Sequence, residues 1–241
     1  GNSVLGVTMY WEKMTSGAID AVDRKVPVIL NLAAIEQHGP HLPVNTDVVI
    51  GAHFLSALDQ IDPKAQLILP TVKVGCSAHH LDFDGTLSVP HRVMMDYVCS
   101  ILDSVYGGGF RNILLFNSHG GNQGIGQVIL EDFGAAHPDC RIAMVTWWTL
   151  ARDALAELSK TGRFGTGHAC EFETSLMMAA GAIEPNIDLP TGSGLICAGL
   201  AMAVHGCSPY TVLSIVSPCH GFLNHPLIHQ LHKIIFLFQN A

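Results

Sequence analysis

Short, continuous apolar runs alternate along this chain with segments whose apolar residues recur at helical spacing. Residues 26–34 (VPVILNLAA), 67–74, 112–117 (NILLFN) and 141–147 carry the first pattern. Runs of this length, rich in β-branched residues and without polar alternation, predict strands buried on both faces. Residues 48–61 repeat apolar positions at Val49, Ala52, Leu55 and Leu58, and Asp47 stands where an N-cap belongs. Residues 90–106 form a second amphipathic helix with Pro90 in its first turn and Gly107, Gly108 and Gly109 as its stop. Further helices are predicted over 123–136, with Asn122 as cap, over 150–159 and over 171–180. From residue 196 onward, apolar segments and histidines continue with few clear boundaries.

Strands alternating with helices predict an α/β fold: a single-domain layered sandwich in which a mostly parallel sheet is flanked by helices. The length of 241 residues suits one domain spanning 1–241. In such folds the ligand crevice lies beyond the carboxyl ends of the strands. The residues that follow those ends therefore matter most.

Composition narrows the classes. Hydrophobic residues make up 49% and charged residues 13%, so a large core is available, and part of the surface is expected to be covered in a homo-oligomer. A net charge of −8 argues against a nucleic-acid partner, which needs a positive footprint. The longest apolar stretch, near 194–204, is far short of the roughly 20 residues that span a bilayer, so no membrane partner is expected. Seven scattered cysteines form no C-x-x-C pair, and no signal-peptide pattern opens the sequence. Together these point to reduced thiols and a cytoplasmic location.

The chemistry concentrates in four segments. EQHGPHLPVNTD (36–47) holds Glu36, His38 and Asp47 in a loop stiffened by Pro40 and Pro43. Glu36 and His38 are two apart, so an extended backbone sends both side chains to one face. A rigid Glu/His/Asp set suits a divalent ion with mixed nitrogen and oxygen ligands. SHGGN places His119 just past the third strand, as a ligand or simply as a strand-ending residue. Gly120 and Gly121 beside it leave bare backbone that a substrate can approach. GCSAHHLDFDGT offers Ser77 as a substrate hydrogen-bonding group and His80 as a pocket-lining one, unless the loop is merely solvated. GHACEFETS brings Glu171 and Glu173, either of which could instead serve the helix dipole. Its His168, in a glycine-flanked loop, is the best acid/base candidate in the chain. Trp147 and Trp148 end the fourth strand, where they either close over a substrate or pack at a subunit contact.

In this order and spacing the four segments resemble the creatininase (creatinine amidohydrolase) family over about residues 26–180. The resemblance implies an α/β sandwich, often assembled as a hexamer, that hydrolyses cyclic amides and related C–N bonds with divalent metal. It also implies that Glu36, His38, Asp47 and His119 bind metal, with Asp47 bridging two ions, and that His168 is the catalytic acid/base. Creatininase has a ligating glutamate where this chain has Gly121; Glu171 is expected to supply that carboxylate, with Glu173 the alternative. Asn45 and Asp84 also depart from the usual glycine and proline, and the last third of the chain aligns with no motif.

The expected mechanism is a two-metal hydrolysis. Glu36, Asp47 and His119 hold one ion, and His38, Asp47 and Glu171 the other. Zinc or manganese suits this ligand set, and iron also fits. Two such ions would ionise a shared water near neutral pH, and the resulting hydroxide would attack a small-molecule carbonyl. His168 would protonate the leaving group, with backbone N–H groups near Gly120 and Gly121 assisting the oxyanion. The same site could open a lactone, release a formyl group or cleave a cyclic diketone. A non-catalytic metal-binding subunit is the remaining alternative. His205, His220, His225, His229 and His232 lack carboxylates at ligand spacing and are read as core, surface or interface residues.

Overall fold

A computed structural model describes residues 9–159 and 167–184, together with Lys233. Four strands, β1 (Val28–Leu32), β2 (Leu67–Ile68), β3 (Asn112–Asn117) and β4 (Arg141–Thr146), form one parallel sheet in the order β2-β1-β3-β4. Between them run α2 (Thr46–Ile61), α3 (His91–Gly107) and α4 (Gln123–Ala136); a short α1 (Ser16–Asp20) precedes β1. After β4 come α5 (Trp147–Leu150), α6 (Arg152–Leu158) and α7 (Glu171–Ala179). This is the α/β layered sandwich that the alternating pattern predicted.

Two apolar layers cover the sheet. Val28, Leu30 and Leu32 join Ile113 and Leu115 in a core with Val98 and Leu102 of α3 and Ile129 and Phe133 of α4. Ile29, Leu114 and Phe116 point the other way, onto Ile50 and Phe54 of α2, Trp147 of α5 and Phe172 and Met177 of α7. Alternate residues of β1 and β3 thus serve opposite cores, which is why both strands are buried throughout and read as unbroken apolar runs. β4 lies at the sheet's edge among the described residues and is only half-buried.

The connection after β1 leads to one side of the sheet and the connection after β3 leads to the other. The carboxyl ends of β1 and β3 therefore flank the point where strand order reverses, the usual place for a ligand in an open α/β sheet. Register pairs Leu32 with Asn117, so Glu36 and His119 leave the sheet side by side.

Several boundaries differ from the sequence expectation. β2 has two residues instead of extending to residue 74. Pro90 occupies the N-cap of α3, outside its first turn; the helix predicted over 150–159 is α6, and the separate short α5 begins at Trp147, the residue expected to end the fourth strand. Asn45 takes the N-cap position expected of Asp47, leaving Asp47 inside the first turn of α2. Asn122 does stand at the N-cap of α4 without capping it. Its side chain accepts from Cys76 N at 3.0 Å and donates to Ala33 O at 3.0 Å, tying the exit of β1 to the loop after β2. No described helix is long and apolar enough to cross a membrane. The five histidines read as bystanders lie outside the described residues, as does the apolar stretch near 194–204.

Candidate metal centre

Glu36, His38, Asp47 and His119 converge beyond the ends of β1 and β3, each no more than 2% exposed. Ile35 bridges to Leu87 and His38 to Leu42, so the loop after β1 folds back while Glu36 and His38 keep a common direction. Gly39, at φ 67°, makes the turn that ends this extended stretch.

Each imidazole is held from behind by a carbonyl. His38 Nδ1 lies 3.0 Å from Glu36 O and His119 Nε2 lies 3.1 Å from Cys76 O. A carbonyl can only accept, so these nitrogens carry the protons and the opposite nitrogens face inward. Ser77 Oγ, 3.2 Å from His119 Nε2, adds a second contact behind that ring. Inward, His38 Nε2 is 3.3 Å from Asp47 Oδ1, and His119 Nδ1 is 3.0 Å from Asp47 Oδ2 and 3.2 Å from Glu36 Oε1. Imidazoles oriented by a backbone carbonyl on the far nitrogen are characteristic of metal ligands.

The third carboxylate is Glu173. Its Oε1 is 3.9 Å from His38 Nε2, and His38, Asp47 and Glu173 form a group with ligand atoms mutually within 4.8 Å. Glu171, the carboxylate expected here, is buried at the start of α7 but belongs to no such group. The two are about 200° apart around a helix, and α7 docks on α2 with the Glu173 side toward the centre. His41, unremarked in the sequence, pins that docking. Thr174 Oγ1 donates to Cys170 O at 2.9 Å and so accepts from His41 Nε2 at 2.9 Å.

Gly121 explains why the carboxylate comes from α7. A Cβ there would lie 2.0 Å from Cys76 O and 2.5 Å from His119 Nε2, so no side chain fits. At Gly120, by contrast, a Cβ would meet nothing within 4 Å, which leaves open backbone at the strand end.

Burial and charge set the ionisation. Burial opposes a charge on His38 and His119, but the adjoining carboxylates override it and raise His38 to about 9 and His119 to about 10. Burial likewise opposes charge on Asp47 and Glu36, yet the facing imidazoles hold both below the usual carboxylate range. Burial lifts Glu173 to about 7. Glu36 Oε2 is buried without a hydrogen-bond partner, while the two oxygens of Asp47 face the two imidazoles. Three carboxylates are thus enclosed with only imidazoles as cationic partners among the described residues. Protons on the histidines stand where cations would, and the donor set fits divalent metal.

His168 adjoins this group, with Nδ1 3.5 Å from Glu36 Oε1, its side chain 14% exposed. It stacks on His80 and tilts against His38, each at 4.3 Å between ring centroids. Burial, then the nearby His38 charge, lowers its pKa to about 4, so the ring is neutral. Ala169, next to it, holds φ 52°, a left-handed strain of about 1 kcal/mol for a residue with a Cβ. His80 is buried, with Nε2 3.9 Å from Glu36 Oε2. Exposed His79 stacks on His119 and could complete a further Glu36–His79–His119 group. Gln37, which the sequence gave no reason to select, touches both His80 and His168.

The tryptophans differ from expectation. Both open α5 instead of ending β4. Trp147 packs in the core, 5.8 Å from Phe54 and 5.4 Å from Trp148 between ring centroids. Trp148 is only partly buried. β4 stops at Thr146, and the turn into α5 packs Trp147 into the apolar layer with Phe54, Phe116 and Phe172.

The fold and the buried carboxylate–imidazole centre define an α/β protein with a metal-site-like cluster at its strand ends. A family model described as creatininase (creatinine amidohydrolase) matches residues 12–185, and the chain belongs to that family. It is 23% identical over 185 residues to a 3-dehydro-scyllo-inosose hydrolase of Thermotoga maritima, covering 71% of this chain and 56% of the relative. A creatinine amidohydrolase of Pseudomonas putida is 26% identical over 166 residues, 63% of each chain. A mycofactocin precursor peptide peptidase of Mycobacterium tuberculosis is 33% identical over 109 residues, 40% of this chain and 41% of the relative. The matched parts thus span less than two thirds of these relatives. Among solved structures, a Zn–Zn type creatininase mutant superposes with a TM-score of 0.75 at 19% identity, over 98% of this chain and all of that one. A manganese creatininase gives 0.74 at 19% identity, with the same shares covered.

Proposed function

We propose that this creatininase-family hydrolase is a dinuclear metal enzyme that cleaves an amide or related C–N bond of a small molecule. Asp47 carries the reading. Its two oxygens face two imidazoles, His38 and His119, whose far nitrogens are both tied to backbone carbonyls. Glu36, Asp47 and His119 would hold one divalent ion and His38, Asp47 and Glu173 the other, with Asp47 shared. Zinc or manganese suits these ligands, as their use in the related structures supports, and iron fits the same donors. Such ions supply Lewis acidity, polarising a carbonyl and bringing water within reach of ionisation near neutral pH.

The chain's own groups supply the proton movements. Neutral His168 has an Nδ1 lone pair directed at the Glu36 carboxylate edge and can take a proton from the attacking water. It then returns that proton to the departing nitrogen, so one water is consumed and an acid and an amine are released. Ser77 stands behind His119, where it supports a ligand, so the expected substrate contact gives way to a second-layer one in this reading. Gly120 leaves bare backbone open for a substrate oxygen. The low fraction of charged residues, 13%, supports a homo-oligomer, with the hexamer expected from the family resemblance.

Hydrolysis of an inosose is the second reading, favoured by the name of the Thermotoga relative. Zinc- or manganese-loaded protein assayed against creatinine, formamido compounds, short peptides and 3-dehydro-scyllo-inosose separates the two. Turnover of a C–N substrate supports the first reading, and turnover of the inosose alone replaces it with the second.

A further inference from the structure

One glutamine connects the two histidines that flank Glu36. Gln37 Oε1 accepts from Gly39 N at 2.9 Å, and since a backbone N–H can only donate, the amide's orientation is fixed. Its Nε2 therefore faces the rings, 2.9 Å from His80 Nδ1 and 3.1 Å from His168 Nε2. An amide nitrogen can only donate, so His80 Nδ1 is the acceptor and the His80 proton sits on Nε2. That N–H faces Glu36 Oε2, a buried oxygen without a hydrogen-bond partner, from 3.9 Å.

His168 is arranged the other way. Its Nε2 lies 2.5 Å from the backbone oxygen of Gln37 itself, closer than the amide nitrogen. Two acceptors do not sit at that separation without a proton between them, so Nε2 carries the hydrogen and donates to the carbonyl. The Nδ1 lone pair then points to the Glu36 edge. Gln37 is itself anchored, because its backbone N–H donates to Thr86 Oγ1 at 3.1 Å.

We propose that Gln37 is a positioning residue that gives two stacked histidines opposite polarity at the reaction face, His80 a hydrogen-bond donor through Nε2 and His168 a proton acceptor through Nδ1. The side chain sets His80 and the backbone carbonyl sets His168. His80 is thereby suited to bind a substrate carbonyl oxygen, and His168 to move the proton. The inference rests on the hydrolase reading for its catalytic meaning, and on the hydrogen-bond geometry alone for the two tautomers.

The test is a two-bond proton–nitrogen correlation spectrum of the histidine rings in the full chain, recorded zinc-free and zinc-loaded at mildly alkaline pH. His80→Gln and His168→Gln assign the signals. The expected wild-type spectrum shows protonated Nε2 and bare Nδ1 on both rings. Gln37→Glu replaces the donor by an acceptor and should move the His80 proton to Nδ1, while Gln37→Leu should give a tautomer mixture. His168 should keep its tautomer in both variants. In loaded protein, kcat should fall about 10- to 100-fold in Gln37→Leu, as for loss of other outer partners, with zinc content unchanged. A wild-type His80 protonated on Nδ1, or a His80 tautomer indifferent to both substitutions, overturns the proposal. Protein that binds no zinc yet shows the expected tautomers would remove the metal reading and leave the assignment of Gln37 standing.

Discussion

Asp47 places Oδ2 3.0 Å from His119 Nδ1, although the two residues sit 72 positions apart on different elements. Its other oxygen meets His38. Asp47→Asn keeps the shape and removes the shared negative charge. The expected result is loss of bound metal, read by elemental analysis, together with loss of hydrolase activity.

His168 should be separable from the ligands. His168→Ala is expected to lower kcat by about 10²- to 10⁴-fold, the range for a positioned acid/base, while metal content stays near wild-type. Paired measurements of turnover and metal stoichiometry check this, and parallel loss of metal would make His168 a ligand.

Glu173 and Glu171 give a direct contrast on one helix. Glu173→Gln should weaken metal binding by more than about 100-fold, exceeding the loss of a typical outer partner. Glu171→Gln should leave two ions bound. Competition titrations against a chelator of known affinity measure both.

Gly121 is expected to reject the glutamate found in creatininase. Gly121→Glu drives a Cβ into Cys76 O and the ring of His119. An overpacking cost of about 1–3 kcal/mol follows, with a lower melting temperature and less metal bound, measured by calorimetry and elemental analysis.

Metal-free protein should lose stability as pH rises. His38 and His119 are raised in the folded state to about 9 and about 10 from 6.5, so their contribution is complete below pH 6.5 and is lost as pH climbs through those values. Glu173, raised from 4.5 to about 7, acts in the same direction between those values. Below this window the depressed Asp47 and Glu36 act oppositely, and stability falls as they are protonated. Chelator-treated protein should therefore melt at a lower temperature at pH 9 than at pH 6.5. Added zinc should narrow that difference, because metal then replaces the protons. A pH series of melting temperatures with and without zinc tests both statements.

Much of this was legible in the sequence because the relevant signals are local. β3 and α4 fall where the apolar run and helical spacing put them, since both faces of β3 are buried and one face of α4 repeats regularly. Glu36, His38 and His119 converge because alternation and strand-end placement govern where their side chains go. The choice of Glu173 over Glu171 was not legible: helical geometry separates the two, but only the docking of α7, held by His41 and Thr174, selects a face. Gln37 was hidden because alternation sends it away from its neighbours, and it returns to the site only through rings contributed by distant loops. The tryptophans misled because β4 ends one residue earlier than its apolar pattern.

The most direct measurement is the metal content of the purified chain after incubation with zinc or manganese and removal of excess. Two ions per chain, falling to fewer in Glu173→Gln and lost in Asp47→Asn, is the predicted result. A chain that retains no ion, and whose melting temperature does not respond to either metal, would contradict the account.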